Sequence, residues 1–191
     1  MVKIAYHLLY FKNKKNTNKL RNNDFSIISQ NCIGSLIYHD LNLRFLSPTI
    51  NLFMSPSDFV IFVQHLKEFK NSRLHFIETE SNYPVGYIKH KEQKVFLTFM
   101  HYKTKKEAAE KWHDRYSRVN NDNLFLIMTD RDGCDDTTIK QFFELPYKKK
   151  SSHQRIYSEE PQVGDLTEYV SIWGKRGFER FDIVEWLNSV K

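Results

Sequence analysis

The chain has 191 residues, 40% hydrophobic and 15% aromatic, which is enough for one full-sized core and too few for two large ones. Only 6 Gly and 5 Pro exclude the composition of a disordered or low-complexity chain, and no apolar run approaches the ~20 residues that span a bilayer. Lys and Arg total 29 against 23 Asp and Glu, so the net charge of +6 favours anionic partners such as phosphate esters, nucleotides and lipid headgroups.

From the N-terminus, "AYHLLYF" (5–11) leads into the basic "FKNKKNTNKLR". The apolar run is too short, and lies on the wrong side of its charges, for a secretory signal. Residues 1–21 therefore read as a basic arm on a cytoplasmic protein, suited to peripheral contact with the inner face of the membrane. Residues 22–191 read as a single α/β domain, and the two cysteines read as thiols before they read as a disulfide.

"FSIIS" (25–29) predicts a short buried strand and "GSLIYHDL" the helix after it, with Gln30, Asn31 and Cys32 at the joint. "TINLFM" (49–54) predicts a second strand, followed by a helix that Ser55 caps, Pro56 opens and Asp58 supports in its first turn. "SRLHFIETE" (72–80) follows, and "VGYIKHKEQKVFLTFM" (85–100) reads as a hairpin or two strands. Thr104 and Glu107 form a capping-box pattern ahead of a helix with Ala108, Ala109, Trp112 and Tyr116 at helical spacing. The apolar run 124–128 is a further buried strand, "DRDGC" its loop, and Asp135 to Leu145 a helix stopped by Pro146. "QRIYS" (154–158) is a last candidate strand, and "RFDIVEWLNSV" a closing helix with Phe181, Val184, Trp186 and Leu187 as its apolar set.

Strands alternating with helices predict a three-layer α/β domain with a largely parallel sheet, whose strand-to-helix loops form the site. Asn31-Cys32, Ser55-Pro56, His101-Tyr102 and Asp130-Arg131-Asp132-Gly133-Cys134 are the loops in question. Which of them are neighbours depends on strand order, and periodicity leaves that open.

Cys32 opens a helix, where unpaired backbone N–H groups and the helix dipole favour a thiolate. With His101 as base and Asp130 or Asp132 orienting that base, the three types compose a nucleophilic set suited to acyl transfer or hydrolysis. The alternative is a small buried cysteine that only packs. "DRDG" after an apolar strand suggests instead a divalent cation held by Asp130 and Asp132 together with diphosphate oxygens, against the plainer reading of a polar turn. Cys32, Cys134 and His101 have the composition of a zinc site without any close-spaced ligand pair. His113 and Arg115, flanked by Trp112 and Tyr116, suggest an anion site or simply an exposed helix face. Trp173 with Lys175 and Arg176 suggests stacking on a base or sugar, or packing. No helix-turn-helix, ribonucleoprotein or zinc-finger pattern is present, so nucleic acid is not an expected partner.

Several separated stretches, "FSIISQNCIGSLIYHDLNLRFLSPTINLFMSPSDFVIFVQHLKEF", "PVGYI", "FMHYKTKKEAAEKWHDRYSRVNNDNLFLIMTDRDGC", "ELPYKKK" and "FDIVEWLN", closely resemble the bacterial family catalogued as domain of unknown function 1919. The resemblance runs from about residue 22 to the C-terminus and implies a setting in exopolysaccharide or capsule biosynthesis. The positions it matches are Asn31, Cys32, Ser47, Pro48, His101, Tyr102, Trp112, Arg115, Asn123, Asp130, Arg131, Asp132, Gly133 and Cys134. Members often carry Trp-Gly-Gly after the Asn-Cys pair, where this chain has Ile33-Gly34-Ser35, so no aromatic at that position enters the mechanism.

Residues and resemblance together lead to the expectation of an enzyme, a transferase or hydrolase acting on a glycan or its activated precursor. Cys32 would be nucleophile, His101 general acid/base, Asp130 or Asp132 the orienting carboxylate and Asn31 a stabiliser of developing negative charge. Tyr102, Arg115, Arg131 and Gly133 would bind substrate, and acyl transfer fits this set best. The first alternative is a glycosyl- or phosphosugar transferase built on the Asp130-Arg131-Asp132 loop and a divalent cation. The second is a non-catalytic glycan-binding or assembly protein.

Overall fold

The computed structural model describes residues 16–130, 132–148, 150–153 and 182–189. In chain order the elements are β1 (Ser26–Ser29), α1 (Ile33–Asp40), α2 (Pro56–Gln64), α3 (Leu66–Phe69), β2 (His75–Ile77), β3 (Val85–His90), β4 (Gln93–Thr98), α4 (Lys105–Tyr116), β5 (Leu124–Thr129), α5 (Asp136–Glu144), β6 (Lys150–His153) and α6 (Ile183–Asn188). The arm residues 1–15, the candidate strand 154–158, Phe181, and Trp173, Lys175 and Arg176 lie outside the described residues.

β1, β5 and β6 form a parallel sheet in the order β1-β5-β6, with Ser26 opposite Leu124 and Thr129 opposite His153 at its two ends. Every residue of β1 and β5 is buried, as expected of parallel strands covered on both faces. Alternation along them divides the core. Ile28, Leu124, Leu126 and Met128 face one cluster, with side chains of α2, α3, α4 and α5. Ile27, Phe125 and Ile127 face the other, with Ile37 and Tyr38 of α1 and Ile183, Val184 and Leu187 of α6. The domain is therefore α/β and layered about this sheet.

The remaining strands form a separate antiparallel sheet in the order β2-β3-β4, in which Ile88, Val95 and Leu97 join the larger core cluster. Half of the strands thus lie outside the parallel sheet, and the His101-Tyr102 joint follows an antiparallel strand. Residues 49–54 form no strand of their own beyond an isolated bridge between Phe53 and Thr98. A side chain takes over the ladder's role along β1: the Ser29 N–H donates to Thr49 Oγ1 at 3.0 Å, and the Met54 N–H donates to the Gln30 carbonyl at 3.0 Å. Asn51, at φ 60°, bends the segment between these two points.

Helix starts follow their caps. Ser55 Oγ accepts from the Asp58 N–H at 3.1 Å, Thr104 Oγ1 from Glu107 at 3.1 Å and Asp135 Oδ1 from Thr138 at 2.7 Å. β6 is polar ("KSSH") and occupies the sheet edge, which is why hydrophobic patterning passed it over. Lys150 Nζ donates to the carbonyls of Phe143 and Leu145, closing the end of α5. Among the described residues no helix is long and apolar enough to cross a membrane.

The two ends of the described chain are fastened together. Asn188 Oδ1 accepts from the backbone N–H of Arg21 at 2.7 Å and of Asn22 at 3.2 Å, while its Nδ2 donates to the Lys19 carbonyl at 3.0 Å. Asn188→Ala is expected to cost about 1–2 kcal/mol of unfolding free energy in a urea titration. An unchanged midpoint would mean that water serves these groups equally well.

Candidate functional site

The site begins where β1 runs out of apolar residues. Gln30 is fully buried, and a buried amide must find partners. Its Nε2 donates to the Met54 carbonyl at 3.3 Å, and its Oε1 accepts from Thr129 N–H at 3.0 Å and Thr129 Oγ1 at 3.1 Å. One side chain thereby joins the end of β1, the segment before α2 and the end of β5. Beside it, Asn31 Nδ2 donates to Thr129 Oγ1 at 3.2 Å, so the Asn31-Cys32 and Asp130 loops are neighbours.

The start of α1 is internally satisfied. Asn31 Oδ1 accepts from the Ile33 N–H at 3.1 Å, and Ser29 Oγ accepts from the Gly34 N–H at 3.2 Å while donating to the Asn31 carbonyl at 2.6 Å. Two of the orphan donors expected at a helix start are thus occupied. Cys32 stands at the N-cap in αR conformation (φ −68°, ψ −2°), makes no side-chain cap bond and is half-buried. Burial pushes its thiol above the ordinary range, which opposes the thiolate expected from a helix start.

A second wall comes from α4 and the loop before it. Ser35 Oγ accepts from the Asn51 N–H at 2.8 Å, and the adjacent Ile50 carbonyl accepts from Tyr102 Oη at 2.7 Å. Arg115 Nη1 donates to the same Tyr102 oxygen at 2.5 Å. The guanidinium carbon lies 5.1 Å from the Phe45 ring centroid and 6.0 Å from that of Tyr102. No carboxylate pairs with Arg115 among the described residues. Burial raises the Tyr102 pKa, the Arg115 charge and hydrogen bond oppose that rise, and the charges of Glu107 and Cys32 add to it. The Cys32 contribution is the smallest of these.

The other expected residues are placed less centrally. His101 is exposed and makes no hydrogen bond, ion pair or ring contact among the described residues. Asp130 is half-buried at the end of β5 and acts on Cys134, whose thiol is pushed up to about 11 by burial, Asp130, Asp135 and Asp136, in that order. Cys134 packs against the larger core cluster. Asp132 (φ 62°) and Gly133 (φ 84°) form the exposed tip of the loop, and Arg131 lies outside the described residues. The expected Cys-His-Asp contacts are not formed: no hydrogen bond joins Cys32 to His101 or His101 to a carboxylate. Among the described residues, no three His, Cys, Asp or Glu side chains gather as metal ligands. A cation between Asp130 and Asp132 would draw its remaining ligands from the substrate. Within the suggested anion site, Arg115 takes part, whereas Trp112 is buried in the core and His113 is exposed.

The family model for Domain of unknown function (DUF1919) matches residues 4–188. The chain belongs to this family. A Haemophilus influenzae protein (strain ATCC 51907 / DSM 11121 / KW20 / Rd), described as an uncharacterized protein, is 38% identical over 192 aligned residues, covering 94% of this chain and 91% of the relative. The DUF1919 match takes in both walls of the site and also most of the segment read as a basic arm.

Sequence reasoning assigned no role to four contributors in this DUF1919 chain: Gln30, which it placed at the joint, and Phe45, Asn51 and Thr129. The available signal was the amide of Gln30 directly following the apolar run of β1. Phe45 lies in a stretch without helix or strand, where periodicity has nothing to report. In a Cys134→Ser variant, iodoacetamide should alkylate Cys32 with an apparent pKa above the ~8.5 of a free cysteine, unchanged by His101→Ala. A value below that, rising on His101→Ala, would restore the imidazole as its base.

Proposed function

We propose that the chain is a transferase acting on a glycan or its activated precursor, with Arg115 holding an anionic group of the substrate and Cys32 receiving the transferred group. The observation that carries this reading is the Arg115 guanidinium: half-buried, stacked on Phe45, bonded to Tyr102 and without a carboxylate partner among the described residues. A cation partly removed from water and lacking a counter-charge is under-compensated, and a phosphate or carboxylate would relieve that cost through charge-assisted, bidentate hydrogen bonds. A small electrostatic effect of Cys32 on the same tyrosine supports a thiol near the anchored anion.

Acyl transfer requires the Cys32 thiol to give up its proton as it attacks, because the thiolate is the nucleophilic form. Attack by Sγ on an activated acyl donor forms a thioester, and the donor's leaving group departs with the thiol proton. A glycan hydroxyl then takes the acyl group and returns a proton to sulfur. Asn31, next to Cys32, supplies amide polarity near the developing charge. The glycan as acceptor, and a role in exopolysaccharide or capsule assembly, come from the family resemblance and belong to this proposal alone.

The reading is tested by titrating the protein with pyrophosphate and with an acyl phosphate while following the amide resonances of Cys32 and Tyr102. Arg115→Ala should weaken binding about tenfold or more, and Arg115→Lys should recover part of it, since a charged bidentate contact is worth ~1.5–3 kcal/mol. Cys32→Ala should keep the binding and lose transfer. Binding indifferent to Arg115→Ala would remove the anchor, and transfer at the wild-type rate by Cys32→Ala would remove the nucleophile.

A further inference from the structure

The outer face of the antiparallel sheet carries side chains that the site does not use. Ile88, Val95 and Leu97 are fully buried, so the alternate residues Tyr87, Lys89, Lys94 and Phe96 point away from the core. The register places His75, Tyr87 and Phe96 in one row across all three strands. Their ring centroids are 5.1 Å apart for His75 and Tyr87 and 5.9 Å apart for Tyr87 and Phe96. In the same sheet Lys89 is paired opposite Lys94, and Lys94 Nζ sits 4.9 Å from the Tyr87 centroid. Phe96 is 43% exposed, an unusual surface position for a large aromatic ring. The nearby acid that pairs here, Glu92, meets Lys89 at 3.6 Å and is almost wholly exposed, so it neutralises little of the charge.

We propose that this face binds an acidic glycan chain, the polymer that the site acts on, an inference that rests on the glycan reading above and adds the sign of the polymer's charge. A pyranose needs one open ring face, against which its C–H groups, slightly positive, meet the negative aromatic surface. Phe96 offers that face. Two residues along β4, about 7 Å away, Lys94 is placed to meet a carboxylate on the same or the next sugar. Single-stranded nucleic acid fits less well, because successive bases need several free ring faces. Here His75 and Tyr87 lie nearly parallel, at 15°, and cover one another, with Lys94 over Tyr87.

The test is affinity electrophoresis of the full chain in gels containing polygalacturonate or neutral dextran, with poly(U) as competitor. Retardation by polygalacturonate alone is expected, falling about tenfold in apparent affinity, ~1.4 kcal/mol, in Phe96→Ala and in Lys89→Gln/Lys94→Gln. Circular dichroism confirms that each variant is folded. Lys111→Gln, an exposed lysine of α4 outside this face, should be retarded like the wild type, and the pyrophosphate titration of Arg115→Ala reads the transferase proposal separately. No retardation, equal retardation by dextran, or displacement by poly(U) at lower concentration than by free polygalacturonate would each overturn the proposal. Loss of retardation in Arg115→Ala, with none in Phe96→Ala, would move the polymer to the Cys32 site and overturn it as well.

Discussion

The buried amide of Gln30 is the constraint on which the site depends. Its position at the end of β1 would be prohibitive for an unsatisfied polar group, since a buried donor or acceptor left without a partner costs about 1–3 kcal/mol. Satisfying it requires the Met54 carbonyl on one side and Thr129 on the other, so three chain segments are brought to fixed relative positions. Everything that follows β1 and β5 is measured from that junction. Asn31 can reach Thr129 because Gln30 has already placed it, and the segment carrying Ile50 and Asn51 is held between Thr49 and Met54 by bonds to the same strand.

The two walls of the site have different electrostatic characters. On the β1 side two of the helix-start donors are occupied by Asn31 and Ser29, and burial of Cys32 raises the pKa of its thiol. On the α4 side the guanidinium is bonded to Tyr102 and forms no ion pair with a carboxylate among the described residues. In the proposed transfer, a thiol beside a positive group would suit a substrate that brings its own negative charge.

Much of the fold was legible because its signals are local. Ser55-Pro56-Asp58, Thr104 with Glu107, and Pro146 after Leu145 mark helix ends through side-chain hydrogen bonds and backbone restriction, and the structure places α2, α4 and α5 accordingly. The α/β class followed from strand and helix periods. What could not be read was non-local: β1 and β5 are about one hundred residues apart in sequence yet adjacent in the sheet, and β2, β3 and β4 leave it altogether. Residues 49–54 have an apolar strand pattern, but the Thr49 hydroxyl replaces a backbone partner, a substitution that hydrophobic periodicity does not register. Among the candidate residues, Tyr102 and Arg115 were placed together, whereas His101, one position before Tyr102, faces solvent. A one-residue step reverses a side chain's environment, and only the packed loop decides which neighbour turns inward.

Gly34 shows how tightly the start of α1 is drawn against β1. A Cβ there would lie 2.5 Å from Ser29 Oγ, the atom that receives the Gly34 N–H. That approach sets the evolutionary freedom of the tripeptide after Asn31-Cys32. Position 34 admits no side chain without displacing the serine that organises the helix start. Ile33 before it is partly buried and packs against the smaller core cluster. Ser35 after it is buried and its hydroxyl accepts from the Asn51 N–H, so its removal would leave that donor without its partner. The tripeptide after Asn31-Cys32 is therefore tied down at each position, by packing at 33, close approach at 34 and a hydrogen bond at 35.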